Sequence, residues 1–446
     1  MKFVIIGGDA AGMSAASKAK RTDPSLEVVV FEQTEDVSYS ACGMPYNIAD
    51  PTRSMNDLVV RHAEIFREKQ GIDLRIQHRV ERIDRHRKTV SGHTRDGQSF
   101  TERYDRLLIA TGARPKVLPI PGATLRGVFA LKSLEDGQRL KAFLAQHRVE
   151  KAVIIGAGYI GLEMAEAFHA RGLAVEICEG LPRLLPFLPD EMAAVVREEL
   201  ERNDVVLHFN ATIDSIEENG GKLSVQTDDQ RLSADIVLMA IGIAPNAELA
   251  RDAGLELGAG GAIAVDRTLR TSDPDIFAAG DCADAFHIIT SQRVWIPLAL
   301  RANRSGWVVA DNVTGRAVEV PGVAGTAVFK VMELEVARTG LTPEDAVQAG
   351  FEPVQELIRS RSRAHAHPGN QSIYVNLVAD RKTRRLLGGS MVGKEGVAHR
   401  INAVAVALHA GMTVDELFLC DFAYAPPFSP VWDPVLTAAN QLLKKL

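Results

Sequence analysis

Residues 2–12, Lys2-Phe3-Val4-Ile5-Ile6-Gly7-Gly8-Asp9-Ala10-Ala11-Gly12, govern how the rest of the chain reads. The apolar run Phe3–Ile6 passes through a glycine turn into an alanine-rich stretch suited to a helix. The plan returns at Ala152–Ile155, followed by Gly156-Ala157-Gly158-Tyr159-Ile160-Gly161. Each copy closes on a second strand with a terminal acid, Val28-Val29-Val30-Phe31-Glu32 and Val175-Glu176-Ile177-Cys178-Glu179. Two βαβ nucleotide-binding units in one chain are predicted.

The second unit carries the full fingerprint. Gly156 permits the tight turn, Gly158 lets a pyrophosphate approach the backbone, and Gly161 lets the helix pack on its strand. Glu179 falls where its carboxylate accepts hydrogen bonds from both ribose hydroxyls. A 2′-phosphate would meet it as a like charge, so NADH is expected over NADPH. The first unit departs from the pattern, with Asp9 where the middle glycine belongs.

Between the units, Tyr104–Ala113 reads as a buried strand running into a small-residue turn, and Ala234–Gly242 closes the second unit in the same way. The charged, alternating stretches Ile72–Val90 and Val205–Thr227 read as antiparallel hairpins at the sheet edges. After about residue 325 the pattern changes to strands flanking helices, a separate α+β domain.

The chain has 446 residues, a net charge of −6 and no long uncharged apolar run, which points away from nucleic acid and from a membrane span. Met1–Ile6 superficially resembles a leader, but the glycines after it read as a strand's end. Four widely spaced cysteines, Cys42, Cys178, Cys282 and Cys420, argue against a disulfide framework or a metal site and for a reducing, cytoplasmic setting.

Downstream, Thr271–Asp281 ends in Ala278-Ala279-Gly280-Asp281. With Ala110-Thr111-Gly112, it resembles the flavin-binding signature of the pyridine nucleotide–disulfide oxidoreductases. The resemblance covers essentially the whole chain. It implies an α/β fold of two Rossmann-like domains, FAD-binding (1–115 and 245–325) and an inserted NADH-binding domain (116–244). A C-terminal α+β dimerisation domain (326–446) would complete the chain, in a homodimer sharing its active sites. Glu32 would hold the adenosine ribose, Asp281 the ribityl chain, and Pro297-Leu298-Ala299 would lie by the flavin ring. Further cofactor contacts are expected from Gly7, Gly8, Ala11, Gly12, Val80, Tyr159, Ile160, Glu163 and Gly242. Taken alone, Asp281 also reads as a helix cap.

Ser38-Tyr39-Ser40-Ala41-Cys42-Gly43-Met44-Pro45-Tyr46 selects the chemistry. Pro45 suits a first helical turn, and a thiol at a helix N-terminus has its pKa lowered, so Cys42 is expected to be a thiolate near neutrality. The other reading of Cys42 is an inert packed thiol, the one assigned to the remaining three cysteines. The family's paired-cysteine members carry a second cysteine a few residues on, and none stands between Gly43 and Asp50. The wording resembles the single-cysteine branch, the CoA-disulfide reductases above all. That implies NADH passing electrons through FAD to a mixed disulfide of Cys42 with a small thiol. An NADH oxidase and a persulfide or polysulfide reductase are the alternatives on this scaffold, and a non-catalytic redox sensor is the alternative outside it. No rhodanese-like extension precedes Leu446, which points away from persulfide work.

The resemblance also places Tyr424, in Phe422–Ser429, beside the partner subunit's cysteine as a proton donor. His367, in Arg363–Gly369, stands where a substrate-side tyrosine is common. Without the resemblance, these are an interface aromatic and a solvated loop histidine. Lys18 and Arg21 on the first helix, with Ser38, Ser40 and Arg61, are expected to hold the substrate, CoA phosphates included; Lys20 shares that basic helix face, which reads equally as solvated.

Overall fold

The computed structural model describes residues 1–446. β1 (Lys2–Ile6), α1 (Ala10–Thr22) and β2 (Glu27–Phe31) form the first unit, followed by a loop bearing α2 (Met44–Ala49) and by β3 (Asp73–Arg75). β1 is the centre of a five-stranded parallel sheet. β2 and β3 lie on one side of it, Arg106–Ile109 and Ile276–Ala278 on the other. Phe3, Val4 and Ile5 are wholly buried in one core with α1, helix Ala299–Val313 and the strands over residues 78–103, so both faces of the strand are covered and its run is unbroken apolar.

The second sheet, Val128–Ala130, Ile236–Met239, Lys151–Ile155, Ala174–Glu179 and Val206–Phe209, all parallel, repeats the order of four strands; its edge strand Val128–Ala130 precedes the unit in the chain, where Ile276–Ala278 follows it in the first. The chain leaves and re-enters the first unit through one ribbon, Ala113–Pro115 paired antiparallel with Ile243–Pro245. Thr111 and Asn246 lock the crossing: Thr111 Oγ1 donates to the Asn246 carbonyl at 2.6 Å, and Asn246 Nδ2 donates to the Thr111 carbonyl at 2.8 Å.

The two expected hairpins take a different form. Asp73–Arg75 and Val206–Phe209 join the parallel sheets. Each then gives way to a three-stranded antiparallel meander, His78–Asp84 to Ser99–Arg103 and Ile213–Asn219 to Arg231–Ala234. Alternating charge marks a half-exposed strand but not its partner. The C-terminal region is α+β as expected, a five-stranded antiparallel sheet over residues 327–393 with helices Val397–Ala410 and Pro434–Leu443 against it. No helix is long and apolar enough to cross a membrane.

One apolar core ties the Cys42 loop to the second unit: Met44, Ile48, Met55 and Leu58 pack with Leu162, Ala165 and Phe168, and with Phe329 and Val331 of the C-terminal sheet. Lys141 clamps the end of α2, its Nζ donating to the carbonyls of Asn47 (2.6 Å) and Asp50 (2.7 Å). The loop is therefore held between all three parts of the fold.

Candidate active site

The two glycine turns match atom for atom. Glu32 Oε2 accepts the Gly8 N–H at 2.7 Å and Oε1 the Thr34 N–H at 2.8 Å. Glu179 Oε2 accepts the Ala157 N–H at 2.8 Å and Oε1 the Leu181 N–H at 2.9 Å. Each acid is thus pinned to its own turn, at the strand end where a ribose would lie. A Cβ on Gly12 would stand 1.9 Å from the Gly7 oxygen and one on Gly161 2.1 Å from the Gly156 oxygen, so both are glycine for close packing. A Cβ on Gly158 would meet nothing within 4 Å; it faces open space over the N-terminus of helix Tyr159–Ala170. Backbone N–H groups at such an end suit a diphosphate.

Both turns open on one cleft of about 3500 Å³, against roughly 300–1,000 Å³ for an ordinary small-molecule site. It has room for two dinucleotides. Its walls carry nearly all the expected cofactor residues: Gly7, Gly8, Ala11, Glu32, Val80, Ala110, Thr111, Gly112, Asp281 and Pro297–Ala299 around the first turn, with Gly156, Gly158, Tyr159, Ile160, Glu163, Glu179 and Gly242 around the second. Gly12 and Gly161 lie beneath it. The residues present fit FAD on the first turn: an acid at the ribose position, a helix N-terminus for the diphosphate and small residues at Ala110–Gly112.

Cys42 lies on a short 3₁₀ turn, Ala41–Gly43, immediately before α2, and is exposed to the cleft between the two units. Pro45 occupies the first turn of α2, which is only six residues long. The expected lowering of the thiol pKa is not what the surroundings produce. The crowding walls of the cleft push it up, the carboxylates of Glu163, Asp281 and Asp9 add to that, and only Lys132 pulls it down. The six-residue α2 supplies too little dipole to offset burial and three acids.

Two residues missed in the sequence join the thiol. Lys132, just after strand Val128–Ala130, reaches across to Asp281 Oδ2 at 3.0 Å. Tyr46, one turn beyond Cys42, donates its hydroxyl to Glu163 Oε1 at 3.2 Å. Burial, foremost, pushes the Glu163 carboxyl up to about 7, and the Tyr46 bond opposes that shift. Nothing local marks either residue, since each acquires its role from a partner more than 80 residues away in sequence.

Of the expected substrate residues, Ser38, Ser40, Arg21 and Arg61 line the cleft. Lys18 does not: its ammonium is paired with the buried carboxylate of Asp311 and sits over the Trp307 ring, 5.7 Å from the centroid. Lys20 is turned to the Pro24 and Leu26 carbonyls at the end of α1. Two positions apart, the lysines point to opposite sides of α1, Lys18 towards helix Ala299–Val313 and Lys20 towards the turn that follows α1.

Tyr424 and His367 also lie outside this cleft. They belong to adjoining C-terminal loops, joined where the Ala364 N–H donates to the Pro426 carbonyl at 3.1 Å. His367 turns Nδ1 to the Pro368 carbonyl at 2.9 Å, and Tyr424 is half exposed. Neither meets Cys42 of its own chain. Cys178 and Cys282 are buried, Cys178 pushed up to about 12 chiefly by that burial; Cys420 donates to the Glu416 carbonyl.

Two dinucleotide turns sharing a cleft with one accessible thiol define a flavoprotein that passes electrons from a pyridine nucleotide. The profile described as pyridine nucleotide-disulphide oxidoreductase matches residues 1–306, and that of the corresponding dimerisation domain residues 326–434. The chain belongs to this family and is an NAD(P)H-dependent flavoprotein oxidoreductase of its coenzyme A disulfide reductase and NADH oxidase group. It is 40% identical to the NAD(P)H coenzyme A polysulfide/persulfide reductase of Pyrococcus horikoshii, over 99% of this chain and 98% of that protein. It is 29% identical to the coenzyme A disulfide reductase of Staphylococcus haemolyticus, over 96% of each. Among solved structures, a NAD-dependent persulfide reductase from A. fulgidus superposes with a TM-score of 0.96 at 38% identity, over 100% of this chain and 83% of that one. These likenesses reorder the expected chemistries, with persulfide and polysulfide reductases ahead of the disulfide reductases. Chain length gives no argument against persulfide work, because the P. horikoshii protein is matched over almost its whole length.

Proposed function

We propose that this protein uses NADH to reduce a sulfur–sulfur bond in thiol-bound sulfane sulfur, a CoA persulfide or polysulfide. The observation that carries the reading is Cys42: one thiol open to a cleft between two nucleotide turns, with the other three cysteines outside its loop. With no protein partner sulfur at hand, its bond must form with a sulfur of the substrate.

The balance is NADH + H⁺ + RS–SH → NAD⁺ + RSH + H₂S. Cys42 attacks the outer sulfur: the Cys42 Sγ–S bond forms as the S–S bond of RS–SH breaks, and RS⁻ leaves, taking a proton. The electron pair from NADH then breaks the Sγ–S bond, which returns the Cys42 thiolate and releases the outer sulfur as H₂S. FAD, when bound, relays the electron pair from nicotinamide to sulfur. The Tyr46–Glu163 pair holds an exchangeable proton on the same cleft. Arg21 and Arg61, on the cleft wall, suit the phosphates of a CoA thiol. Glu179, pinned by two backbone N–H groups, favours NADH over a 2′-phosphorylated nucleotide. The dimerisation domain exposes Leu419, Phe428, Val431 and Trp432, an apolar strip suited to a second copy, which would bring Tyr424 and His367 to the partner's Cys42. The same residues serve CoA disulfide, the second reading, through NADH + H⁺ + RS–SR → NAD⁺ + 2 RSH.

Anaerobic NADH turnover with CoA persulfide and with CoA disulfide tests this, with sulfide release measured alongside. The expected result is the higher kcat/KM for the persulfide with one sulfide per NADH, and Cys42→Ser retaining FAD while losing at least about 10³-fold in turnover. A higher kcat/KM for the disulfide reverses the assignment, and an active Cys42→Ser protein removes it.

A further inference from the structure

The first turn departs from the fingerprint only at Asp9, and the internal repeat shows what that departure does. Asp9 and Gly158 are equivalent: each is the N-cap residue of the helix its turn feeds, α1 and Tyr159–Ala170. The Cβ direction at Gly158 is open space, the space a diphosphate would take; at Asp9 the same direction carries a carboxylate. That carboxylate does not cap its own helix. Its Oδ1 accepts the N–H of Tyr39 at 3.2 Å, three residues before Cys42. The charged and titratable groups around it come from four elements: Glu32 at the end of β2, Tyr39 in the reactive loop, Lys132 before the next helix, and Asp281 after strand Ile276–Ala278. The one cation among them is paired with Asp281.

We propose that Asp9 is a positioning residue that takes up a proton when FAD binds, so that one side chain governs both cofactor retention and the placement of the reactive-thiol loop. The proposal rests on FAD occupying the first turn. A diphosphate beside an ionised Asp9 is a like-charge contact. Protonation removes it, while the carbonyl oxygen of the neutral acid still accepts from Tyr39. Burial already raises this carboxyl to about 6, and the neighbouring diphosphate raises it further. Above pH 6 the bound protein therefore holds more protons than the free protein, so FAD binding weakens as pH rises. Ionised Asp9 also raises the Cys42 thiol, so its protonation favours the thiolate.

FAD dissociation from the holoprotein, followed by the recovery of free flavin fluorescence, tests this without any substrate. The wild-type Kd is expected to rise by up to about tenfold per pH unit above pH 6 until the bound-state pKa is passed. Asp9→Asn, nearly isosteric and able to accept from Tyr39, is expected to bind FAD with a flat pH profile and at least about tenfold tighter at pH 8.5. Asp9→Ser is expected to share the flat profile but to change the alkylation rate of Cys42, because its shorter side chain does not reach Tyr39. A wild-type Kd that is flat with pH, or an Asp9→Asn protein that keeps the wild-type slope, overturns the proposal. Absence of any FAD binding by the wild type would instead remove the cofactor assignment.

Discussion

Cys42 and Glu163 come from different nucleotide units and meet only in the cleft, where the carboxylate raises the thiol. Glu163 itself titrates near 7, so its influence changes across physiological pH. Below that value it is neutral and the thiol is relieved; above it the charge holds the thiol up. Replacing Glu163 by Gln removes that charge permanently. The midpoint of Cys42 alkylation by iodoacetamide is expected to move to lower pH, with the rate at pH 8 rising about threefold. An unchanged alkylation profile would mean that the acid does not act on the thiol. Tyr46 keeps a hydrogen-bond partner in this variant, so its packing should survive.

The repeated βαβ element separates glycines that serve packing from one that serves ligand. A methyl at Gly161 collides with the Gly156 carbonyl at 2.1 Å, while a methyl at Gly158 meets nothing. Gly161→Ala is therefore expected to destabilise the second unit by about 1–3 kcal/mol, read as a lower unfolding midpoint in urea. Gly158→Ala should leave that midpoint unchanged and raise the KM for NADH several-fold, because its methyl enters the diphosphate's space. Equal unfolding losses in the two variants would contradict this division.

The whole molecule presents an uncovered apolar strip on its C-terminal domain, with Phe428 and Leu419 each more than three-quarters exposed. Tyr424 and His367 lie on loops tied together beside it, away from their own Cys42. Phe428→Glu is expected to shift the protein from dimer to monomer in sedimentation velocity and to lower turnover by more than about tenfold, with FAD still bound. A monomeric variant with full turnover would show that each cleft works alone.

The two nucleotide units, their glycine turns, their terminal acids and the single cysteine of the loop after the first unit are all legible in the linear chain. These are local rules of spacing: a parallel strand, a tight turn and a helix N-terminus need particular residues at adjacent positions. The direction of the shift at Cys42 was not legible, because burial in the cleft sets it first and Glu163, Asp281 and Asp9 add to it, all distant in the chain. The same holds for Lys18, a free cation if α1 is taken alone, neutralised by Asp311 nearly 300 residues on. Which charges face one another was settled by folding, since Coulomb interactions depend on distance in space and on the solvent excluded between groups, neither of which a linear spacing records.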